Sequence, residues 1–202
     1  DMKRGKIFSC GCLTGKISKP VIEIKEFLDE NDIPIKFEHY IGKNYFLDLY
    51  SDEFKIGIEF NGLRYHTNTE SKIKEFKKME LCKQQDIELI IIFEDEWTFK
   101  SNIIKNILLN KFNKTKPISI RPKNCHIKMC KNSENKFLLD SYHIQGNRNS
   151  KINIGAFHDN KLIATISLDK PSRQNSGDYE ISRMCADPKY KIHGIWSKFL
   201  NF

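Results

Sequence analysis

Tyr45-Phe46-Leu47-Asp48-Leu49-Tyr50, followed by Ser51-Asp52-Glu53-Phe54-Lys55 and then Ile56-Gly57-Ile58-Glu59-Phe60-Asn61, decides the architecture. Two runs rich in β-branched and aromatic residues flank a short polar turn, and so short a connection makes them antiparallel neighbours. A third run, Ile35 to Tyr40, precedes them across the Gly42-Lys43-Asn44 turn and completes a meander. Upstream, Ser18-Lys19-Pro20 starts a helix with Ser at the N-cap and Pro in the first turn; Ile22, Ile24, Phe27 and Leu28 follow one side, and Asn31-Asp32-Ile33-Pro34 stops it. Downstream, Ser71 to Gln85 carries Ile73, Phe76, Met79 and Leu81 as an apolar helical stripe with a charged outer face. The continuous apolar run from Ile87 to Phe93 reads as a strand buried on both faces, which a right-handed crossover sets parallel to the meander. The predicted order is αβββαβ on a mixed sheet, closed by a helix over residues 101–112.

Residues 113–117 read as a linker to a smaller α/β domain over 118–202, and residues 1–17 as an irregular basic lead-in, part of a zinc or DNA-contact element. The second half opens with a strand at 118–121 and a helix over 133–143. Its clearest feature is a hairpin, 152–158 and 162–168 about Asp159-Asn160, with alternation on both arms. A polar loop over 169–178, a strand over 179–185 and a helix from about Gly194 follow.

Thirty-four Lys and Arg against 26 Asp and Glu give the 202-residue chain a net charge of +8, which favours a polyanionic partner through counterion release. Hydrophobic residues at 39% and aromatics at 11% indicate a folded protein. No stretch approaches the roughly 20 apolar residues of a membrane span, and no apolar core follows Asp1-Met2-Lys3-Arg4. Charge alone does not choose between nucleic acid and an acidic membrane surface; a soluble, cytoplasmic protein is expected, with neither a membrane nor a small-molecule substrate. Cys10, Cys12, Cys82, Cys125, Cys130 and Cys185 do not complete a regular zinc pattern, so reduced thiols are expected and a structural zinc is the lesser alternative.

Asp48 and Glu59 lie between apolar neighbours, where a carboxylate is costly unless something compensates it. Taken singly, an acid in a short strand is usually a solvated edge residue. Together, on strands joined by a tight turn, Asp48 and Glu59 come within reach of one cation, with Asn61 on the same face as Glu59 and Phe60 turned to the core. Two carboxylates suit Mg²⁺, with Mn²⁺ as a substitute; such an ion neutralises a phosphodiester and acidifies an attacking water. His66, where the chain leaves the strand, is placed to take a proton or position the phosphate, and Lys78, or its neighbour Lys77, to add positive charge. Glu94-Asp95-Glu96-Trp97 offers either further ligands or a helix cap, with a structural role for Trp97.

The segments 45–50, Ile58-Glu59-Phe60-Asn61-Gly62-Leu63-Arg64-Tyr65-His66, Lys78-Met79-Glu80-Leu81-Cys82 and Ile90-Ile91-Ile92-Phe93-Glu94-Asp95-Glu96-Trp97 resemble the PD-(D/E)XK nucleases. They are most similar to the branch shared by very-short-patch-repair endonucleases and phage homing endonucleases. The resemblance covers residues 18–112 and implies a restriction-endonuclease-like core, double-stranded DNA as the partner and its site-specific cleavage, action in the bacterial host cytoplasm if phage-encoded, Asp48 as the central metal ligand, the Phe60 carbonyl as a second ligand and His66 as the acid/base. Two departures stand out. Asn61 replaces the Lys of the E-x-K element, with Lys78 as its candidate substitute; Val21 stands where the family carries a Glu, with Glu23 as the candidate stand-in. A DNA-binding protein with a decayed nuclease core is therefore the alternative. The second half, through its hairpin, Tyr179 to Met184 and Gly194, resembles more weakly the acetyltransferase-like (GNAT-like) domains; the lone Gly194 argues against acetyl-CoA binding. An acyltransferase is a third reading. Expected DNA contacts are Lys19, Arg64, Lys72, Lys77, Arg173, Arg183 and Lys191, joined by Lys170, Lys189 and Lys198.

Overall fold

The computed structural model describes residues 17–62, 69–171 and 177–202, with side chains in the second helix described from Lys72 onward. The lead-in up to residue 16, with Cys10 and Cys12, and the candidates Arg64, His66 and Arg173 lie outside the described residues. The chain divides into two compact units, Asp1–Lys114 and Thr115–Phe202.

In the first unit, helix α1 (Lys19–Asp29) leads into β1 (Lys36–Gly42), β2 (Tyr45–Ser51) and β3 (Ile56–Asn61); helix α2 (Thr69–Gln84), β4 (Glu88–Phe93) and α3 (Glu94–Lys111) follow. The sheet order is β1-β2-β3-β4, with β1–β2 and β2–β3 antiparallel and β3–β4 parallel. This is the αβββαβ mixed sheet that the alternation over 45–61 and the crossover rule predict. Gly57, in the middle of β3, leaves room for Leu47: a Cβ there would overlap Leu47 Cδ1, so that buried side chain would have to shift.

Several local expectations are corrected. Ser18 holds the N-cap position, yet its hydroxyl makes no cap bond; Pro20, in the first turn, has no N–H for it to accept. The buried stripe of α1 is Val21, Ile24 and Leu28, spaced three and four residues apart, whereas Ile22 is 39% exposed. Each buried aliphatic contributes on the order of 2 kcal/mol. On α2 the apolar stripe does not face the core: Ile73, Phe76 and Met79 are exposed, and the helix docks through Leu81 and Cys82 into a cluster with Ile41, Leu47, Tyr50 and Ile87.

Strand β4 is not buried on both faces. It is the sheet's edge strand, and only Ile92 along it is fully buried. An unbroken apolar run cannot distinguish a central strand from an edge strand half-covered by helices. Helix α3 begins at Glu94 rather than 101, because Glu96 Oε2 accepts the Phe93 N–H at 3.2 Å and starts the helix at the end of the strand. Lys100, at φ −137°, kinks it, and the expected helix is the part beyond that kink.

The second unit holds β5 (Ile118–Ile120), a 3₁₀ turn (Pro122–Asn124), β6 (His126–Met129), α4 (Asn132–Tyr142), β7 (Ile152–His158), β8 (Lys161–Asp169), β9 (Glu180–Ala186), β10 (Tyr190–Ile192) and α5 (Ile195–Leu200). Strands β6-β7-β8-β9 form an antiparallel sheet, and β10 pairs in parallel with β5. The β7–β8 turn has positive φ at Asp159 (48°) and Asn160 (60°), the two-residue hairpin geometry that Asp and Asn tolerate best among residues with side chains. Strands β6 and β10 were not expected; they are four and three residues long, too short for alternation to register. Among the described residues, no helix is long and apolar enough to cross a membrane.

Candidate active site

Strand β2 delivers Asp48 and β3 delivers Glu59. The ladder between them pairs Ser51 with Ile56, Tyr50 with Gly57 and Leu49 with Ile58, so its next step sets Asp48 against Glu59. There the backbone ladder gives way to a side chain: Phe60 N–H donates to Asp48 Oδ2 at 2.8 Å. Asp48 is 4% exposed and Glu59 5%, so neither is a solvated edge residue. From α2, the Lys78 ammonium reaches in and bonds Glu59 Oε1. The other oxygen, Glu59 Oε2, is buried with no hydrogen-bond partner. An unsatisfied buried carboxylate oxygen costs about 1–3 kcal/mol or more, and such an atom calls for an explanation.

Electrostatics agree with the geometry. Burial pushes Glu59 up from 4.5 to about 7, the Asp48 charge adds to the rise, and Lys78 and, more weakly, the Asp48 backbone N–H oppose it. Asp48 is raised as well, by burial first, with the Phe60 N–H and Lys78 pulling the other way and Glu38 adding repulsion. Cys82, one helical turn beyond Lys78, is 1% exposed; burial and the Glu59 charge push its thiol up to about 11, so it is inert packing. Near neutrality Glu59 is therefore only partly ionised despite the lysine beside it. That deficit of positive charge, with the orphaned Glu59 oxygen, fits a divalent cation held by Asp48 and Glu59. Among the described residues there is no cluster of three or more His, Cys, Asp or Glu side chains arranged for a metal.

The structure also brings in a residue that sequence reasoning missed. Glu38, on β1, falls between the ladder pairs Phe37–Leu49 and His39–Leu47, at the position facing Asp48, where no pair forms. Its φ is +52°, a left-handed backbone inside a strand for a residue with a side chain. The sequence carried no signal for it, because only the register reveals what Glu38 faces. Replacing Glu38 by Gln removes a negative charge beside Asp48, so the Asp48 pKa is expected to fall; carboxyl ¹³C NMR titration reads this, and an unchanged or higher value would remove Glu38 from the site.

The other candidates are placed as follows. Asn61 ends β3, half-buried, in register with Phe93 of β4. Glu23 accepts a hydrogen bond from Trp97 Nε1 at 3.0 Å and pairs with Lys19 at 3.5 Å; the Trp97 bond holds its carboxyl below the usual value. Trp97 is itself 8% exposed. Lys72 and Lys77 are exposed on α2. In the second unit, Lys191 is exposed, whereas Arg183 donates to the carbonyls of Gly146 and Ser182, and Lys198 to those of Pro122 and Cys125.

No family model and no curated protein matches the chain. Among solved structures, the catalytic domain of the homing endonuclease I-Bth0305I is similar to it at 22% identity, with 48% of this chain and 96% of that chain covered and a TM-score of 0.41.

Proposed function

We propose that this protein is a metal-dependent, site-specific endonuclease of double-stranded DNA. The observation that carries the reading is the buried Asp48–Glu59 pair with Lys78 on Glu59 Oε1 and no hydrogen bond completed at Oε2. Asp48 and Glu59 would hold Mg²⁺ or Mn²⁺, which supplies neutralisation of the phosphodiester and acidification of water when bound. The Phe60 N–H donates to Asp48 Oδ2 and fixes the orientation of the carboxylate toward the cation it would hold. Lys78 fixes the rotamer of Glu59 and places a cation where the E-x-K lysine is missing. His66, beyond the described residues, is the proposed proton acceptor. The +8 charge draws the polyanion in.

The second reading, a DNA-binding protein with a decayed core, is favoured by α1: Val21 is 2% exposed in the core, and Glu23 is engaged by Trp97 and Lys19. Incubating a plasmid library with the protein and Mg²⁺ and mapping new ends decides between them. Cleavage is expected to rise with pH through about 7, as Glu59 loses its proton, and Mg²⁺ binding is expected to release protons below that pH. Salt-sensitive DNA binding with no nicking under Mg²⁺ or Mn²⁺ would establish the decayed core instead.

A further inference from the structure

A cavity of about 150 Å³ opens in the second unit beside the start of α4. All nine residues lining it are polar, and the charged ones, Lys136 and Arg148, are both cations; there is no carboxylate among them. It is smaller than the roughly 300–1,000 Å³ pockets that enclose organic ligands, but it has room for about five waters at some 30 Å³ each. It would therefore take a compact polar group and not a nucleoside.

Its floor is rigid. Asn135 and Asn153, 1% and 4% exposed, are joined by Asn135 Nδ2 donating to Asn153 Oδ1 at 2.8 Å. Thr165 Oγ1 donates to Asn135 Oδ1 at 2.7 Å, and Ser167 Oγ to Asn153 Oδ1 at 2.7 Å. Asn153 Nδ2 then donates to Asn132 Oδ1 at 3.0 Å. The network has a direction: amide oxygens are consumed by it, while the Asn132 amide hydrogens at its outer end are left as donors. Buried amides bonded through both oxygen and nitrogen hold their orientation, so the donors are set before any ligand arrives.

The two cations differ in how they are engaged. Lys136, one turn along α4 from Asn132, forms no ion pair with a described carboxylate. Arg148 is anchored to Asp169 Oδ2 through Nε at 3.4 Å, and no bond from its terminal nitrogens is made among the described residues. Donors, the Lys136 cation, an Arg148 shared with Asp169 and a lining without carboxylates favour an oxyanion, and the start of the 11-residue helix α4 adds a favourable field.

We propose that this cavity binds a phosphate group, supplied by the DNA backbone. The oxyanion site stands on the cavity alone; its assignment to DNA rests on the nuclease reading. The test uses the full ¹⁵N-labelled chain in EDTA, so that no cleavage intervenes. In the first arm, inorganic phosphate is titrated against chloride at matched ionic strength. Saturable shifts are expected at the Asn132 and Asn153 side-chain amides and the Ser133 N–H, weakened about ten-fold in Lys136→Gln by loss of a charged hydrogen bond. Arg148→Lys is the companion variant, since it retains a charge for Asp169; thermal unfolding checks that both are folded. In the second arm, duplex DNA binding is followed against salt, and Lys136→Gln should reduce the slope of log K on log salt by about one.

Absence of saturable shifts at the cavity would overturn the site. Shifts with an unchanged salt slope in Lys136→Gln would overturn DNA as the source and leave a free phosphate ligand. Failure of the nuclease reading is distinguished separately: phosphate would still bind the cavity while Mg²⁺ gave no new DNA ends.

Discussion

Asp48→Asn is expected to lower Mg²⁺-dependent DNA cleavage by about a thousand-fold while the chain remains folded. The magnitude follows from the several kcal/mol of transition-state charge stabilisation that a bound cation supplies. The choice of Asn follows from the structure: its side-chain oxygen still accepts the Phe60 N–H that Asp48 Oδ2 receives at 2.8 Å, so the end of the β2–β3 ladder is preserved. What is lost is one negative charge at a site 4% exposed. Glu59, no longer repelled by Asp48, should titrate below its value of about 7, and carboxyl NMR gives that readout independently of activity. DNA binding should persist at the same salt sensitivity, because the general positive charge is untouched. Cleavage near the unmodified rate would remove Asp48 from the reaction. Loss of cleavage with an unfolded chain would not arise from charge removal alone, since burying a neutral amide with its bond kept costs little.

The carboxylate pair was legible because β-structure writes its geometry in sequence: a tight turn makes strands antiparallel, and antiparallel strands bring residues before and after the turn face to face. Asp48 and Glu59 needed only that rule. The Asp159-Asn160 hairpin was legible for the same local reason. Glu38 was not, because its opposition to Asp48 depends on the β1 register across a left-handed residue that no glycine announces. Strand β4 and the stripe on α2 misled in the same way as each other. Ile73, Phe76 and Met79 have core composition and helical spacing, and 87–93 has the composition of a central strand, yet whether a neighbour covers an apolar face is a tertiary property. The β5–β10 pairing joins segments some seventy positions apart and left no local trace. The polar network beneath the phosphate cavity was unreadable for that reason too, since Asn132, Asn135, Asn153, Thr165 and Ser167 meet only when α4 lies on β7 and β8.

Lys78→Met tests the pair from the opposite side, through stability. Glu59 titrates at about 7 in the folded chain against an ordinary 4.5. The folded state therefore favours the protonated acid; the stability this contributes is fully present below 4.5 and is lost as pH rises through about 7. Lys78 opposes that rise, so its removal pushes Glu59 higher and makes the ionised acid costlier to bury. At pH 5.5 the variant should melt close to the unmodified chain. At pH 8 it should melt lower, by about 1–2 kcal/mol, or on the order of 5–10 °C, against the roughly 3–5 kcal/mol of a buried charge with no relief at all. Mg²⁺ or Mn²⁺ at pH 8 should narrow the gap, because a cation between Asp48 and Glu59 supplies the charge that Lys78 gave up. Trp97 fluorescence in a Trp196→Phe background confines the measurement to the first unit, since the chain has 2 tryptophans. A melting difference independent of pH and of metal would mean that Lys78 acts only through the packing of its methylenes, and the cation site would lose its electrostatic basis.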